Sequence, residues 1–514
     1  MTDKKTSSRT RNSARNAVWG FFYGASTILL PFITRIIILQ LLGVHYLGIG
    51  TLFTSLLQFL NLAELGIGTA VTYNMYRPIA ENNIDELCRI LRYIKKMYRG
   101  IGLIMLAVGT ALVPAVPYLT HGEAPAEINV YILYYIYLIN AVISYFFAGY
   151  RESLLIAHQR KDVTSRWAMV MNVLVCILQV AILYMTKNIY LFAAVPILGT
   201  VATNMMVRRA TLKLYPEISP TGELSDTTRQ GIRKKLFGLI GTKMNAIVLH
   251  SSDTIVISIF LGLAPTAKYG NYYLIFNSVC GFIATLFVSM TASIGDKLVR
   301  DSLEKNYQLF RHISFANTWL VVVCSTVFVC LLEPTMSLVY GADMVLGLPF
   351  AILMSIYFYV YQIQKTVLTF KDAAGIWYAD RYRPYCVMVI NLVSNIILVN
   401  VIGIHGIVLS TILAFMISLP WLNRTLFKEL FHMPSLPHLL TIIKNAVITA
   451  AISALSWWCC SFFPQSFLGL IGRGITCLVI CNLFFVLLNL RSESLRYWVN
   501  NVTSRLNRLR GKKA

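Results

Sequence analysis

The chain has 514 residues, of which 57% are hydrophobic and 13% charged, and its formal net charge is +23. Soluble domains are about a quarter charged, whereas here apolar runs long enough to cross ~30 Å of hydrocarbon recur from end to end. A soluble globular protein is therefore excluded. The basic residues stand in short segments between the apolar runs and form no extended patch, so no nucleic-acid partner is expected.

Fourteen apolar runs predict fourteen transmembrane helices in an all-α integral membrane protein. Of the 45 Lys and Arg residues, only Lys187 and Lys268 fall on the side opposite to the N-terminus. Because basic loops stay cytoplasmic, we expect both termini in the cytoplasm. The predicted spans are 17–42, 48–76, 99–119, 128–150, 165–186, 188–208, 236–262, 269–294, 312–333, 344–364, 384–401, 405–423, 441–462 and 467–490.

A weak internal repeat divides the chain. Leu42-Gly43 closes the first span and Leu261-Gly262 closes the seventh, and each is followed by a short connection and another apolar run. This pattern predicts two six-helix bundles with a cleft between them, followed by two further helices. The predicted parts are a basic cytoplasmic tail at 1–16, an N-terminal bundle at 17–209, a cytoplasmic linker at 210–235, a C-terminal bundle at 236–430, spans 13 and 14 at 431–490, and a basic amphipathic tail at 491–514.

Four charged residues lie deep in predicted spans, where each costs roughly 2.5–3.5 kcal/mol unless it faces protein or water. At ~1.5 Å of rise per residue, Arg35 and Asp253 lie at similar depths near the outer side, and Glu64 and Lys243 near the cytoplasm. We expect an outer pair, Arg35–Asp253, and an inner pair, Glu64–Lys243, that close alternate mouths of the cleft. Alternatively, each charge is satisfied within its own bundle and fixes helix packing. His250 of the seventh span is a candidate for proton coupling.

Tyrosine and amide side chains cluster in the fourth and tenth spans. Tyr134, Tyr137 and Asn140 belong to the fourth span, and Tyr361 and Gln362 to the tenth. Such groups stack on sugars and hydrogen-bond to them in a wet cavity. Tyrosines also gather at membrane interfaces without any ligand, and that alternative is favoured.

An anionic head group would need cationic partners. Arginine suits phosphate because its planar guanidinium donates two parallel hydrogen bonds. For the cations at span ends, a purely topological role, with the side chain extended to the interface, is favoured. The candidates are Arg35 and Lys243 inside spans, and Arg99, Arg151, Lys365 and Arg383 at cytoplasmic span ends.

The cysteines give no metal signature. All ten except Cys88 lie in or beside apolar spans, and neither the adjacent Cys459 and Cys460 nor the pair Cys477 and Cys481 matches zinc-ligand spacing. Buried cysteines that pack as small apolar side chains are favoured. We therefore predict no metal, and no cofactor is expected. An H⁺ or Na⁺ gradient is the candidate driving force for any transport.

The stretches TRIIILQLLGVHYLGIG and LAELGIGTAVTYNMYRP, the basic segment after the second span and the fourteen-span plan resemble the Wzx-like polysaccharide-export flippases. These O-antigen and capsule transporters are related to the lipid II flippases and the multidrug extruders of the MOP superfamily. The resemblance covers nearly the whole chain and implies a MATE-like, V-shaped arrangement of the two bundles. It also implies a cationic cavity lined by spans 1, 2, 7 and 8.

The resemblance implies that the chain moves undecaprenyl-diphosphate-linked oligosaccharides from the cytoplasmic to the outer leaflet of a bacterial inner membrane. Its expected partners are this lipid-linked substrate and membrane lipids, with a polysaccharide polymerase and a chain-length regulator as candidates. No catalytic residue is implied, so an enzyme is not expected. Which glycan is carried does not follow from the sequence.

Two other functions remain open. An ion-coupled multidrug or cation extruder of the same fold is the nearest alternative, although Arg35 and Lys243 offset the acidic residues that a cationic drug would need. A polytopic glycosyltransferase or polymerase is the alternative from another class. Its catalytic loops would have to be longer than 120–128 and 334–343, the longest outer loops here.

Overall fold

The computed structural model describes residues 2–61 and 67–511. Within these ranges the chain is helical and contains no β-strand, which confirms the predicted all-α class. The helices are α1 (Thr2–Leu41), α2 (Val44–Leu60), α3 (Ile67–Ala80), α4 (Ile84–Ala111), α5 (Val116–Leu119), α6 (Val130–Phe146), α7 (Arg151–Ala157), α8 (Lys161–Thr186), α9 (Ile189–Leu214), α10 (Asp226–Leu261), α11 (Leu263–Arg300), α12 (Leu303–Tyr340), α13 (Leu348–Ile363), α14 (Lys365–Ala373), α15 (Arg383–Ile402), α16 (Ile404–Leu426), α17 (Leu436–Cys460), α18 (Phe467–Asn489) and α19 (Glu493–Gly511).

Every predicted span overlaps at least one of these helices. In the described residues, ten helices are long and apolar enough to cross a membrane, or eleven if α6 and α7, bent by 57°, form one span. Two shorter apolar helices, Val44–Leu60 and Ile247–Leu261, accompany them. The chain is thus a multi-pass membrane protein, and the count of fourteen spans stays a prediction.

The described chain forms two compact units, Met1–Gly270 and Asn271–Ala514. In the first unit α8 packs on α1 and α9, α9 packs on α6, and α10 packs on α2. In the second unit α12 packs on α13, α17 and α18, and α15 packs on α16. The first unit extends to Gly270 because α10, which the sequence assigns to the C-terminal bundle, packs on α2. The predicted bundle boundary at 210–235 stays a prediction.

Two glycines at equivalent positions of the internal repeat have nearly the same backbone conformation. Gly43, before α2, has φ 103° and ψ 178°, and Gly262, after α10, has φ 89° and ψ −174°. This region of backbone space is open essentially to glycine alone. The chain therefore turns in the same way at the two places where the sequence predicts equivalent helix ends.

A third glycine, Gly48, allows two backbones to meet within the first unit. A Cβ atom added at Gly48 of α2 would lie 2.2 Å from the carbonyl oxygen of Leu263, the first residue of α11. In apolar surroundings such close approaches of small residues are a main source of helix–helix packing energy. The contact thus fixes α2 against the turn between α10 and α11.

Replacing this glycine should destabilise the fold. For Gly48→Ala we expect a loss of about 1–3 kcal/mol, because a backbone oxygen has no room to yield. Gly100→Ala in α4 is the matched control, since nothing lies within 4 Å of its added Cβ, and it should gain up to about 1 kcal/mol in helix propensity. Thermal unfolding of the two detergent-purified variants measures this, and equal shifts in Tm would contradict the packing account.

Candidate functional site

Arg35 ties three helices of the first unit together. Its guanidinium, on α1, donates to the Thr51 hydroxyl of α2 at 3.1 Å and to the Ala267 carbonyl of α11 at 3.5 Å. A Cβ at Gly270 would lie 2.7 Å from the same guanidinium, so glycine is needed beside it. The arginine is half-buried and has polar partners at membrane depth, as a charge inside a span requires.

Asp253 is almost completely enclosed in the same unit. Its side chain, on α10, is in a residue that is 1% exposed, and it accepts a hydrogen bond from the Tyr269 hydroxyl at 3.0 Å. Arg35 and Asp253 are thus each held by a different polar neighbour. Their predicted pairing as an outer latch stays a prediction.

The other predicted gating residues fall where the structure gives no side-chain contacts. Glu64 lies outside the described residues. Lys243 and His250 lie on α10, and their side chains are outside the described set. The inner pair Glu64–Lys243 and the proton-coupling role of His250 therefore stay predictions.

Tyr137 lies beside the Arg35 site. Its ring meets Phe53 edge to face at 5.7 Å between centroids, and its hydroxyl lies 3.0 Å from the position of a Cβ added at Gly50. Gly50 precedes Thr51, the residue that Arg35 contacts. The arginine and the tyrosine hydroxyl therefore meet neighbouring residues of α2, and the ligand-binding role of Tyr137 stays a prediction.

Tyr134 and Asn140 take part in helix packing. Tyr134 is fully buried, and its hydroxyl donates to the Gly109 carbonyl of α4 at 2.8 Å. Asn140 accepts a hydrogen bond from Thr200 of α9 at 3.2 Å. Each side chain joins α6 to a neighbouring helix, and the sugar contacts predicted for them stay predictions.

The predicted residues of the tenth span are packed in the second unit. Gln362 is 1% exposed and exchanges two hydrogen bonds with Asn317 of α12, at 3.0 and 3.1 Å. Tyr361 packs its ring on Phe415 at 5.5 Å and on Phe276 at 6.0 Å between centroids. The amide pair satisfies polar groups between α12 and α13.

Arg151 is the least satisfied cation among the described residues. It is 4% exposed, and its Nε and Nη1 atoms have no hydrogen-bond partner in the part of the chain that the structure describes. The guanidinium carbon lies 5.7 Å from the Tyr150 ring centroid, and the Lys95 ammonium lies 5.8 Å from the same centroid. A buried guanidinium with open donors is costly unless an anion accepts from it. These three residues, Lys95, Tyr150 and Arg151, are called the Arg151 site below.

Where α10 ends and α11 begins, side chains form hydrogen bonds with backbone groups. The Ser258 hydroxyl donates to the Leu119 carbonyl at 2.7 Å, and the Leu263 amide donates to the Glu123 carboxylate at 2.8 Å. The His121 ring contacts the Ile259 carbonyl through Nδ1 at 2.7 Å, a bond that requires the proton on Nδ1. Glu123 thereby satisfies the first amide of α11, where a negative charge is favourable. Residues 48, 119–123 and 258–263 are called the Gly262 seal below.

No protein-family profile matches the sequence, and no curated protein matches it. Solved structures do match. The lipid II flippase MurJ in an inward closed conformation gives a TM-score of 0.68 at 15% identity, with 92% of this chain and 98% of that chain covered. An inward-facing multidrug MATE transporter of the MOP superfamily gives 0.65 at 14% identity, with 77% and 94% covered. A single-site mutant of the Vibrio cholerae MATE transporter VcmN gives 0.56 at 16% identity, with 84% and 100% covered.

The chain has the MurJ/MATE fold. This confirms the fold that the sequence resemblance implied, over nearly the whole length of the chain. At this level of identity the likeness extends to the fold alone.

Within this MurJ/MATE fold, the sequence analysis missed a buried ion cluster in the second unit. Asp380 is 2% exposed; its carboxylate accepts from Lys371 at 2.7 Å and from Arg383 at 2.8 and 2.9 Å. Arg383 also donates to Ser418 of α16 at 2.9 Å. The expectation that Arg383 extends to the membrane interface is wrong, because its side chain turns inward to Asp380. Asp380 lies in the connection before α15, so helical spacing alone does not reveal the cluster.

Neutralising Asp380, the carboxylate at the centre of this cluster, should lower the free energy of unfolding of this MurJ/MATE-fold chain. For Asp380→Asn we expect a loss of about 3–5 kcal/mol, because two buried cations lose their counter-charge. Asp372→Asn is the control: its carboxylate is 52% exposed and 4.0 Å from the same lysine, so its effect should stay within about 0.5 kcal/mol. Equilibrium unfolding in detergent compares the two, and a small effect at Asp380 would show that the cluster contributes little stability.

Proposed function

We propose that this chain is a flippase that moves undecaprenyl-diphosphate-linked oligosaccharide units from the cytoplasmic to the outer leaflet of a bacterial inner membrane. It would supply repeat units for surface polysaccharide by alternating access. The observation that carries the proposal is the Arg151 site, where a buried guanidinium keeps two open donors. An anionic head group satisfies such donors, whereas a cationic drug would be repelled.

The predicted orientation places the Arg151 site at the cytoplasmic end of the first unit and the Gly262 seal at its outer end. Substrate would therefore meet the arginine on the side where lipid-linked sugars are made. The diphosphate oxygens would accept hydrogen bonds from Nε and Nη1 of Arg151, since a guanidinium binds phosphate through parallel hydrogen bonds. The positive charge of Lys95 would attract the same group.

Arg35 gives the head group a second cationic position deeper in the membrane. It is half-buried, and Tyr137 lies beside it. Passage from the Arg151 site toward Arg35 would move the diphosphate along cationic partners while the isoprenoid tail stays in lipid. Release to the outer leaflet would then require the Gly262 seal to part.

Extrusion of cations is the second candidate. Asp253 favours it, because a buried carboxylate that accepts a hydrogen bond from Tyr269 can exchange a proton or Na⁺ for a cationic drug. MATE transporters are also among the structural neighbours. In the flippase proposal Asp253 instead responds to the ion gradient.

Reconstitution in liposomes distinguishes the two functions. Proteoliposomes carrying fluorescent undecaprenyl-diphosphate-N-acetylhexosamine report flipping by loss of fluorescence to an impermeant quencher, and ethidium reports cation extrusion. We expect protein-dependent flipping of the diphosphate lipid and no ethidium transport. Ethidium transport under an ion gradient without any flipping would favour the extruder.

Arg151 should control substrate affinity. Arg151→Ala should raise the half-saturating concentration of the diphosphate lipid about 10–100-fold, which corresponds to ~1.5–3 kcal/mol for a hydrogen bond to a charged group. Arg151→Lys should recover part of this loss, because the charge remains but the planar fork is gone.

Lys96→Ala is the matched control, since Lys96 is an exposed cation that directly follows Lys95 on α4. It should leave the half-saturating concentration unchanged. The Tm of each variant separates loss of binding from loss of fold. An Arg151→Ala protein that folds and flips with unchanged affinity would remove the Arg151 site from the mechanism.

A further inference from the structure

Three cysteines from three helices converge in the second unit. They are Cys330 of α12, Cys460 at the end of α17 and Cys477 of α18, and their sulfur atoms all lie within 4.8 Å of one another. The Cys460 and Cys477 sulfurs are 3.6 Å apart. All three residues are at most 2% exposed. Metal-ligand spacing in the sequence does not reveal this cluster, because the three cysteines are distant from one another along the chain.

The sulfur separations suit a single metal ion. Three thiolates that each bind an ion at ~2.3 Å in one plane lie ~4.0 Å from one another. The sulfur–sulfur separations here fall around that value. Small side-chain adjustments would therefore bring all three sulfur atoms within bonding distance of one ion. We propose that Cys330, Cys460 and Cys477 form a three-coordinate site for a soft metal ion, Cu(I).

The surroundings decide between metals. The side chains packed around the three cysteines include Val327, Val329 and Leu331, which offer no ligand atom. Structural zinc is almost always four-coordinate, whereas soft thiolate ligands also select Cu(I), which is stable with three of them. An all-sulfur set of three in apolar surroundings thus fits Cu(I) better than zinc.

Arg473 supplies compensating charge. It lies one helical turn before Cys477, and its carbonyl accepts a hydrogen bond from the Cys460 thiol at 3.6 Å. Its side chain donates through Nη2 to the Phe463 carbonyl at 2.7 Å, while its Nε is buried with no partner among the described residues. When one Cu(I) binds, three thiol protons leave to solvent and no electron is transferred. The guanidinium offsets part of the negative charge of the trithiolate.

A cavity of about 240 Å³ lies near the cluster. Its lining includes Pro334, Pro464 and Arg473. Each of these residues is four positions in sequence from one of the three cysteines. The cavity therefore lies near the parts of α12 and α18 that hold Cys330 and Cys477 and near the end of α17.

Metal loading tests the site directly. The full chain, purified in detergent with a thiol reductant, is incubated anaerobically with Cu(I) and the chromophoric chelator bicinchoninate. We expect one Cu(I) per chain to be withheld from the chelator, and X-ray absorption to show three sulfur neighbours at about 2.2–2.3 Å.

Variants make the test specific. Cys330→Ala and Cys477→Ser should each lose the stoichiometric copper, whereas Cys176→Ala, at a buried cysteine of the first unit, should keep it. Thermal unfolding shows whether each variant folds. The proposal is overturned if the unmodified chain withholds no more copper than folded Cys477→Ser, if copper has nitrogen or oxygen neighbours, or if the reduced protein contains a Cys460–Cys477 disulfide.

Discussion

The close approach of α2 to the turn between α10 and α11 is the contact on which the account of the first unit depends. Gly48 brings the α2 backbone to the Leu263 carbonyl, and Gly262 makes a turn that a side chain would block. Glu123 then satisfies the first amide of α11. The backbone approach at Gly48 and the side-chain hydrogen bonds of Ser258 and Glu123 form this contact together.

Charges within this apolar chain fall into two groups. Arg35 and Asp253 have polar partners inside the first unit, and Asp380 is enclosed by two cations in the second. Such groups stabilise helix packing in a solvent that cannot hydrate them. Arg151 differs, because Nε and Nη1 of its buried guanidinium have no hydrogen-bond acceptor in the described part of the chain.

The sequence predicted the all-α membrane class and the helices under every span, because apolar length and basic-loop asymmetry are one-dimensional signals. The equivalent turns at Gly43 and Gly262 also follow from the repeat. The side-chain partners did not follow, because depth along a helix axis says nothing about which face a residue occupies. The sequence therefore did not indicate the hydrogen bond from Tyr269 to Asp253, and the pairing of Arg35 with Asp253 stays a prediction. Lys371 lies in α14 and Asp380 in the connection to α15, so helical spacing does not reveal that they pair.

Locking the Gly262 seal by a disulfide shows whether the seal must part for substrate to cross the membrane. Leu119→Cys and Ser258→Cys, combined with Cys386→Ser to remove an exposed thiol, place one thiol on each of two residues that now share a hydrogen bond. The account predicts that oxidation cross-links the pair and stops the flipping of fluorescent undecaprenyl-diphosphate-N-acetylhexosamine in proteoliposomes, and that reduction restores it. Undiminished flipping by fully cross-linked protein would contradict the account, because substrate would then cross without the seal parting.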